Sequence, residues 1–267
     1  MTLLQRPGAV PADPPDVGTV AHYGDPYREQ RLLEAGEALV DLSHHDVVRV
    51  AGPDRLTWLH SLLSQHVLAL GAEPVEALVL SPQGHVEHHL ELTDDGEATW
   101  AVVEPGTGPA LVAFLQKMQF MMRVTVEPTT SRAYTSRGLL DPAEVSAWEG
   151  PVAGVLAHEA LRIAARRPRM GLDTDHRTLP HEVGWLVSAV HLDKGCYRGQ
   201  ETVARVHNLG RPPRQLVLLH LDGSDSDLPV TGSPVLLGER EVGRVGSAAR
   251  HHELGPVALA LVKRQVP

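Results

Sequence analysis

Residues 75–103 of the chain read VEALVLSPQGHVEHHLELTDDGEATWAVV, in which turn residues separate three segments with strand-like sequence. Its first six residues are mostly apolar, as in a buried strand, and Ser81-Pro82-Gln83-Gly84 is typical of a turn. From residue 85 to residue 93 apolar and polar residues alternate, which predicts a strand with one buried face. Asp94-Asp95-Gly96 then predicts a hairpin turn, with residues 99–103 as the return strand. The stretch therefore predicts three consecutive strands of one sheet.

Two helices and two further strands flank these three strands in the sequence. Leucines at helical spacing predict one helix after Gly52-Pro53, and the other is expected at residues 109–119. Residues 47–50 and 123–127 are expected as strands. The order strand, helix, three strands, helix, strand is βαββαβ-like with one extra strand. We therefore predict an α+β fold with the helices on one face of the sheet.

Shorter elements are predicted in the rest of the chain. Asp25-Pro26 suits the start of a helix, because Asp caps helix N-termini and Pro is favoured in the first turn. Residues 161–164 are expected to form a short strand and residues 179–182 to open a short helix, and the stretch after Gly199 is expected to be helical through residue 206. Beyond Pro212-Pro213 the chain predicts a small antiparallel β-barrel. Its expected strands are residues 215–221, 234–237, 242–247 and 257–262.

Composition and charge exclude several classes of protein. The formal net charge is −9 at pH 7, which does not suit broad electrostatic binding of nucleic acid, so no direct nucleic-acid partner is expected. No apolar run reaches the length of a membrane span, and residues 1–24 are typical of a flexible, Pro-rich lead rather than a signal peptide. The single cysteine cannot form an internal disulfide, which fits a reducing compartment. We expect a soluble, cytoplasmic protein without membrane contact.

The chemistry is expected in residues 194–201, KGCYRGQE, which hold the single cysteine, Cys196. Lys194 and Arg198 flank it, and nearby cations together with a following helix N-terminus favour the thiolate over the thiol. Gly195 and Gly199 allow a ligand to approach the main chain closely. The alternative is that Cys196 is a small, inert side chain buried in the core. Residue types alone leave these two interpretations about equally supported.

The same eight residues resemble the signature K-G-C-Y-x-G-Q-E of the YgfZ family, the folate-binding relatives of the glycine-cleavage T-protein, an aminomethyltransferase. The signature is long and specific. The resemblance covers nearly the whole chain from about Asp25 onward. Further matching stretches are Val40-Asp41-Leu42-Ser43, residues 50–54, Leu80-Ser81-Pro82-Gln83-Gly84, Leu179-Pro180-His181-Glu182 and residues 254–260.

The resemblance implies a T-protein-like, three-part ring with a folate in its central channel. It implies a folate-binding region at residues 25–211, which contains a ferredoxin-like subdomain at about 47–127, and a C-terminal β-barrel at 212–267. The implied cofactor is tetrahydrofolate or a derivative, and Cys196 is the candidate catalytic thiol. The candidate cofactor-binding residues are Arg162, Lys194, Gly195, Tyr197, Gly199, Gln200, Glu201 and Arg205.

Two departures from the family pattern bear on the chemistry. Ala164 stands where the family strand L-R-I-E-A-G carries a carboxylate, the natural acceptor for adjacent N–H groups of a pterin. His85, His88 and His89 occupy the stretch where T-proteins have an acidic pair. Neutral imidazoles lack the fixed negative charge, so aminomethyl transfer is not expected. The histidine spacing matches no familiar metal motif, and no metal site is predicted.

The family's role implies the function. The leading hypothesis is an accessory protein that binds a folate and supports iron–sulfur cluster assembly or repair, and through it tRNA-modifying and other cluster enzymes. Its expected partners are a folate-like small molecule and iron–sulfur enzymes or assembly factors. One alternative is a folate-dependent one-carbon transferase, which the missing acidic pair disfavours. The other is a non-enzymatic interaction module that has lost folate binding, which Ala164 favours.

Overall fold

The protein is described by a computed structural model covering residues 3–224 and 227–265. The chain divides into two compact units that alternate along the sequence. The first unit takes in the chain up to His44, then Ser131–Asp173, and then the chain from Leu216 onward. The second unit consists of His45–Thr130 and Thr174–Gln215. Among the described residues, no helix is both long enough and apolar enough to cross a membrane.

The elements are numbered along the chain. The strands are β1 Val10–Pro11, β2 Val20–His22, β3 Leu39–Val40, β4 Asp46–Ala51, β5 Val75–Leu80, β6 Val86–Asp94, β7 Ala98–Val103, β8 Thr125–Thr129, β9 Ala133–Thr135, β10 Gly138–Leu140, β11 Val152–Ala153, β12 Arg214–His220, β13 Pro234–Leu237, β14 Arg240–His251 and β15 Gly255–Lys263. The α-helices are α1 Pro26–Glu34, α2 Arg55–Leu62, α3 Gly108–Lys117, α4 Pro142–Ser146, α5 Val155–Ala164, α6 Trp185–Ser188 and α7 Gln200–Leu209. Two 3-10 helices span Leu3–Gln5 and Pro180–Glu182.

The second unit is built on a five-stranded sheet with strand order β5-β6-β7-β4-β8. Every neighbouring pair in this sheet is antiparallel. Side chains of α2 and α3 pack into one core with the sheet, including the buried Leu59, Leu111 and Leu115. This confirms the predicted strand–helix order and the α+β class. Burial alternates residue by residue along β6, as its sequence predicts.

Asp94 fixes the β6–β7 hairpin to α2. Its carboxylate accepts two hydrogen bonds from the Arg55 guanidinium, at 2.7 and 2.8 Å, and one from the Thr99 hydroxyl at 2.6 Å. The Gly96 N–H donates a fourth at 2.9 Å, which closes the turn. The ion pair with Arg55 and these hydrogen bonds lower the pKa of the buried Asp94 against the opposing effect of burial.

The first unit contains α1, α5 and a four-stranded sheet with strand order β12-β15-β14-β13. Strands β13, β14 and β15 pair antiparallel, and β14 is bulged between Val245 and Ala248. The buried side chains of Ala160 and Ile163 on α5 pack against Val257 and Leu259 of β15. Asp25 caps α1, as predicted, because its carboxylate accepts from the Arg28 N–H at 3.0 Å.

One predicted strand is wrong. Residues 161–164 form the last turn of α5. The four-residue window LRIA alternates like a strand. Over ten residues, however, the buried side chains of Val155, Ala160 and Ile163 recur at helical spacing and define one buried face.

Candidate functional site

Lys194 anchors the loop between α6 and α7 to the second unit. Its side chain is 6% exposed, and its ammonium donates to the Leu63 carbonyl at 2.5 Å and to the His60 carbonyl. Both acceptors lie at the C-terminal end of α2, where a cation is favoured by the free carbonyls. The ammonium also lies 4.9 Å from the centre of the Tyr197 ring. Burial lowers the pKa of Lys194 to about 8.

Two glycines bring this loop against the turn that follows β5. Gly199 and Gly84 have φ angles of 83° and 79°, a region that favours glycine. A Cβ on Gly199 would lie 2.5 Å from the Ser81 carbonyl oxygen, and one on Gly84 would lie 2.8 Å from the Cβ of Thr202. The two backbone segments can therefore approach this closely only because both positions lack a side chain.

Tyr197 and Arg198 fix the middle of the loop. Tyr197 is buried, and burial raises the pKa of its hydroxyl to about 12. Arg198 forms an ion pair with Glu87 on β6, with Nη1–Oε2 at 2.8 Å, and its guanidinium lies 5.6 Å from the centre of the Phe114 ring. The loop is therefore tied to α2, β6 and the β5–β6 turn.

Cys196 is exposed between these anchors. The alternative prediction that Cys196 is buried in the core is therefore wrong. The two flanking cations point to other partners, since Lys194 binds backbone carbonyls and Arg198 binds Glu87. What the sequence predicted as cations around the thiol are in fact the supports that hold the loop in place.

The remaining candidate residues of this segment lie on the same loop and on α7. Gly195 is exposed, and the Gln200 side-chain amide donates to the Lys194 carbonyl at 3.5 Å. Glu201 and Arg205 are exposed one turn apart on α7, whose predicted position is confirmed. The structure thus brings every candidate except Arg162 together in the second unit.

Arg162 belongs to the first unit, where it lies on α5 rather than on the predicted strand. Its guanidinium donates to Glu159 at 2.7 and 2.9 Å, to Asp173 at 3.0 Å and to the Ser247 hydroxyl at 2.7 Å. Burial opposes the charged form, yet these carboxylates raise the pKa of Arg162. The guanidinium N–H groups that would bind a ligand carboxylate are therefore already used in hydrogen bonds within the first unit.

Arg214, next to the Pro212-Pro213 boundary, is held by two carboxylates of the second unit. It donates two hydrogen bonds to the buried Glu182, at 2.8 and 2.9 Å, and two to Asp175. Glu182 also accepts from the Leu179 N–H at 3.0 Å. An unpaired carboxylate is costly to bury, and Arg214 supplies the opposite charge for Glu182.

His88 and His89 point to opposite faces of β6. His88 is buried, and burial lowers its pKa. The His89 ring stacks on Trp185 with ring centres 4.6 Å apart, and its Nε2 lies 3.6 Å from Glu76. Neither imidazole reproduces a pair of adjacent carboxylates.

Curated proteins that are similar in sequence to this chain include a cluster assembly factor and an aminomethyltransferase. An iron–sulfur cluster assembly factor IBA57 homologue, mitochondrial, from Mycosarcoma maydis is 28% identical over 228 residues, which is 68% of this chain and 56% of that protein. An aminomethyltransferase from Chromobacterium violaceum is 27% identical over 100 residues, which is 37% of this chain and 28% of that enzyme. The chain is therefore distantly similar in sequence to an IBA57-type cluster assembly factor and to aminomethyltransferases. It spans about half the length of the first relative and less of the second. No protein-family model matches the chain.

The fold is that of a T-protein. The crystal structure of the glycine cleavage system aminomethyltransferase T from Bartonella henselae superposes with a TM-score of 0.77. The match covers 98% of this chain and 88% of that chain, at 18% sequence identity. Similarity at this level of identity establishes the mixed α+β fold, whereas the activity has to be argued from the residues of the site.

Proposed function

We propose that this protein is an accessory factor for iron–sulfur cluster assembly or repair that acts through the loop carrying Cys196. The observation that carries the proposal is an exposed thiol on a loop held by a buried lysine, a buried tyrosine and a glycine contact. The similarity to an iron–sulfur cluster assembly factor supports the same role. We propose that it acts in the cytoplasm on cluster enzymes, including those that modify tRNA.

A cysteine suits this work because thiolate is the usual ligand of iron in clusters and is also readily oxidised. Loop rigidity matters because a defined thiol position favours transfer to one partner over unspecific reaction. We propose Cys196 as a transient ligand or redox-sensitive group rather than as the nucleophile of a transferase.

Folate is the part of the proposal that the residues support least. Ala164 lacks the expected carboxylate, and Arg162 is engaged by Glu159 and Asp173. His88 and His89 on opposite faces of β6 do not replace the acidic pair of T-proteins. Arg205, exposed on α7, is suited to bind the carboxylates of a folate tail. We therefore assign the function to the Cys196 loop and derive no step through a folate.

The finer organisation stays a prediction. The T-protein fold supports a folate-binding region at 25–211 with a ferredoxin-like subdomain at about 47–127 and a C-terminal β-barrel at 212–267.

Complementation tests the proposed role of the thiol. In cells that lack this protein, wild-type chain is expected to restore the activity of a [4Fe–4S] enzyme, and Cys196→Ala is expected not to. Asp193→Ala, another exposed position of the same loop, is the matched control and should complement. Because Cys196 is exposed, the variant should unfold at the wild-type temperature. Full complementation by Cys196→Ala contradicts the proposal.

Calorimetry with tetrahydrofolate and its polyglutamates separates the alternatives. A binding isotherm weakened by Arg205→Ala supports folate as the ligand. Absence of heat, with complementation intact, supports an interaction module without folate, which Ala164 favours. Turnover in a methylene-transfer assay would identify a transferase and overturn the accessory role.

A further inference from the structure

Three potential metal-binding side chains converge in the first unit, where the end of α1 meets the turn after β14. Glu34 is the last residue of α1, His251 is the last residue of β14, and His252 follows it. One ligand atom from each lies within 4.8 Å of the other two. The His252 Nε2 lies 2.6 Å from a Glu34 carboxylate oxygen, and the two imidazoles stack with centres 4.7 Å apart.

The sequence predicted no metal site here, although His251 and His252 are adjacent in the chain. Adjacent residues of a strand point to opposite faces, so neighbouring histidines rarely share an ion. Here β14 ends at His251, and His252 already belongs to the turn that leads into β15. The alternation is broken at this point, which allows both rings to lie side by side.

Gln30 holds the histidine pair in place. This glutamine is 1% exposed, and its amide donates to the Arg250 carbonyl at 2.9 Å while its carbonyl accepts from the His252 N–H at 2.8 Å. Gln30 and Glu34 are four residues apart on α1, so they lie on one face of the helix. One face of α1 therefore positions the backbone around His251 and presents a carboxylate to His252.

We propose that Glu34, His251 and His252 form a binding site for a divalent transition metal of the Zn²⁺ class. Two imidazoles and one carboxylate are a ligand set that Zn²⁺ takes in proteins, with a further position open to water. Tetrahedral bonds of about 2.0–2.1 Å place neighbouring ligand atoms about 3.4 Å apart. The Glu34 carboxylate now lies 2.6 Å from the His252 Nε2, and because Glu34 is half exposed it can move away to about 3.4 Å.

The hydrogen bonds of His251 limit which metals fit. Its Nδ1 accepts from the N–H groups of Glu253 and Leu254, at 3.1 and 3.2 Å, so the neutral ring carries its proton on Nε2. Binding a metal through Nε2 moves that proton to Nδ1 and releases the two N–H groups to water, which reaches both exposed residues. Only ions with strong affinity for imidazole offset this loss, which favours Zn²⁺ or Ni²⁺ over Mg²⁺ or Ca²⁺.

Equilibrium dialysis of the untagged full chain against Zn²⁺, followed by metal analysis, tests the site. The expected result is one tight equivalent per chain that Glu34→Gln and His252→Gln each weaken at least tenfold. His220→Gln, at an exposed position of β12, is the matched control and should bind as the wild type does. Bound Co²⁺ should give the intense visible absorption of a four-coordinate site, and this absorption should disappear in His252→Gln.

Circular dichroism before dialysis establishes that each variant is folded. Wild-type affinity in both Glu34→Gln and His252→Gln overturns the proposal, as does a wild-type chain that binds Zn²⁺ no more tightly than these variants. Neither result bears on the role of Cys196, because the proposed metal site shares no residue with that loop.

Discussion

At the scale of single residues, the Lys194–Glu201 segment shows which features of a site can be predicted from local sequence and which cannot. The thiol and the glycines that shape the loop are readable from its eight letters, whereas the exposure of the thiol is known only from the structure. The partners of Lys194 are not, because the carbonyls of His60 and Leu63 lie more than 130 residues away along the chain. Sequence identifies a cation beside a cysteine, and only the fold shows that the cation is an anchor.

The two glycines that flank Cys196 provide a matched pair of variants. Gly199→Ala forces a side chain into a left-handed backbone and against the Ser81 carbonyl, so we expect a loss of at least about 1–3 kcal/mol in unfolding free energy. A Cβ on Gly195 meets nothing within 4 Å, so Gly195→Ala should change stability by no more than about 0.5 kcal/mol. Urea unfolding measures the change in unfolding free energy for both variants. Equal losses in the two variants would show that backbone conformation at Gly199 does not support the loop.

At the scale of elements, prediction succeeded where signals are local and complete. The sheet of the second unit follows from alternation and turn residues within residues 75–103, and β5 has the predicted bounds. It failed at α5, where a four-residue window was read without the helical spacing around it. The strand predicted at residues 242–247 is also shorter than β14, which spans Arg240–His251. The reason is that a bulge between Val245 and Ala248 interrupts the regular pattern that marks a strand.

Asp94 should make the β6–β7 hairpin sensitive to acid. Because its pKa in the folded protein is lowered, the ionised carboxylate stabilises the fold above the usual carboxyl pKa of 3.8, and this stability is lost as pH falls through the folded value. Asp94→Asn removes one member of a buried ion pair and should cost about 3–5 kcal/mol at pH 7.

Urea unfolding of this variant at pH 7 and pH 3 measures both effects. The stability difference from wild type should shrink on acidification. Asp54→Asn, which breaks a surface pair with Arg123, is the control and should have a much smaller effect. A stability difference for Asp94→Asn that is independent of pH would contradict the assigned role.

At the scale of the whole molecule, the first unit is assembled from three separate stretches of chain. The sheet formed by β12–β15 has a face covered by Ala160 and Ile163 of α5, which belong to a different stretch. We therefore expect a fragment of residues 212–267 to be unfolded in isolation, since its apolar face would be open to water. A dispersed amide spectrum of that fragment would show that the four strands fold without α5.

The alternating order of the two units has a consequence for synthesis. Strand β15 lies between β12 and β14, yet the ribosome makes it after every other described element of its unit. The second unit, by contrast, has all its residues once position 215 has been translated. The nascent chain can therefore complete the unit that carries Cys196 while α1 and α5 still await their partner strands. During that interval Ile163 lacks its β-sheet cover, so we expect the first unit to expose apolar surface for longer than the second unit does.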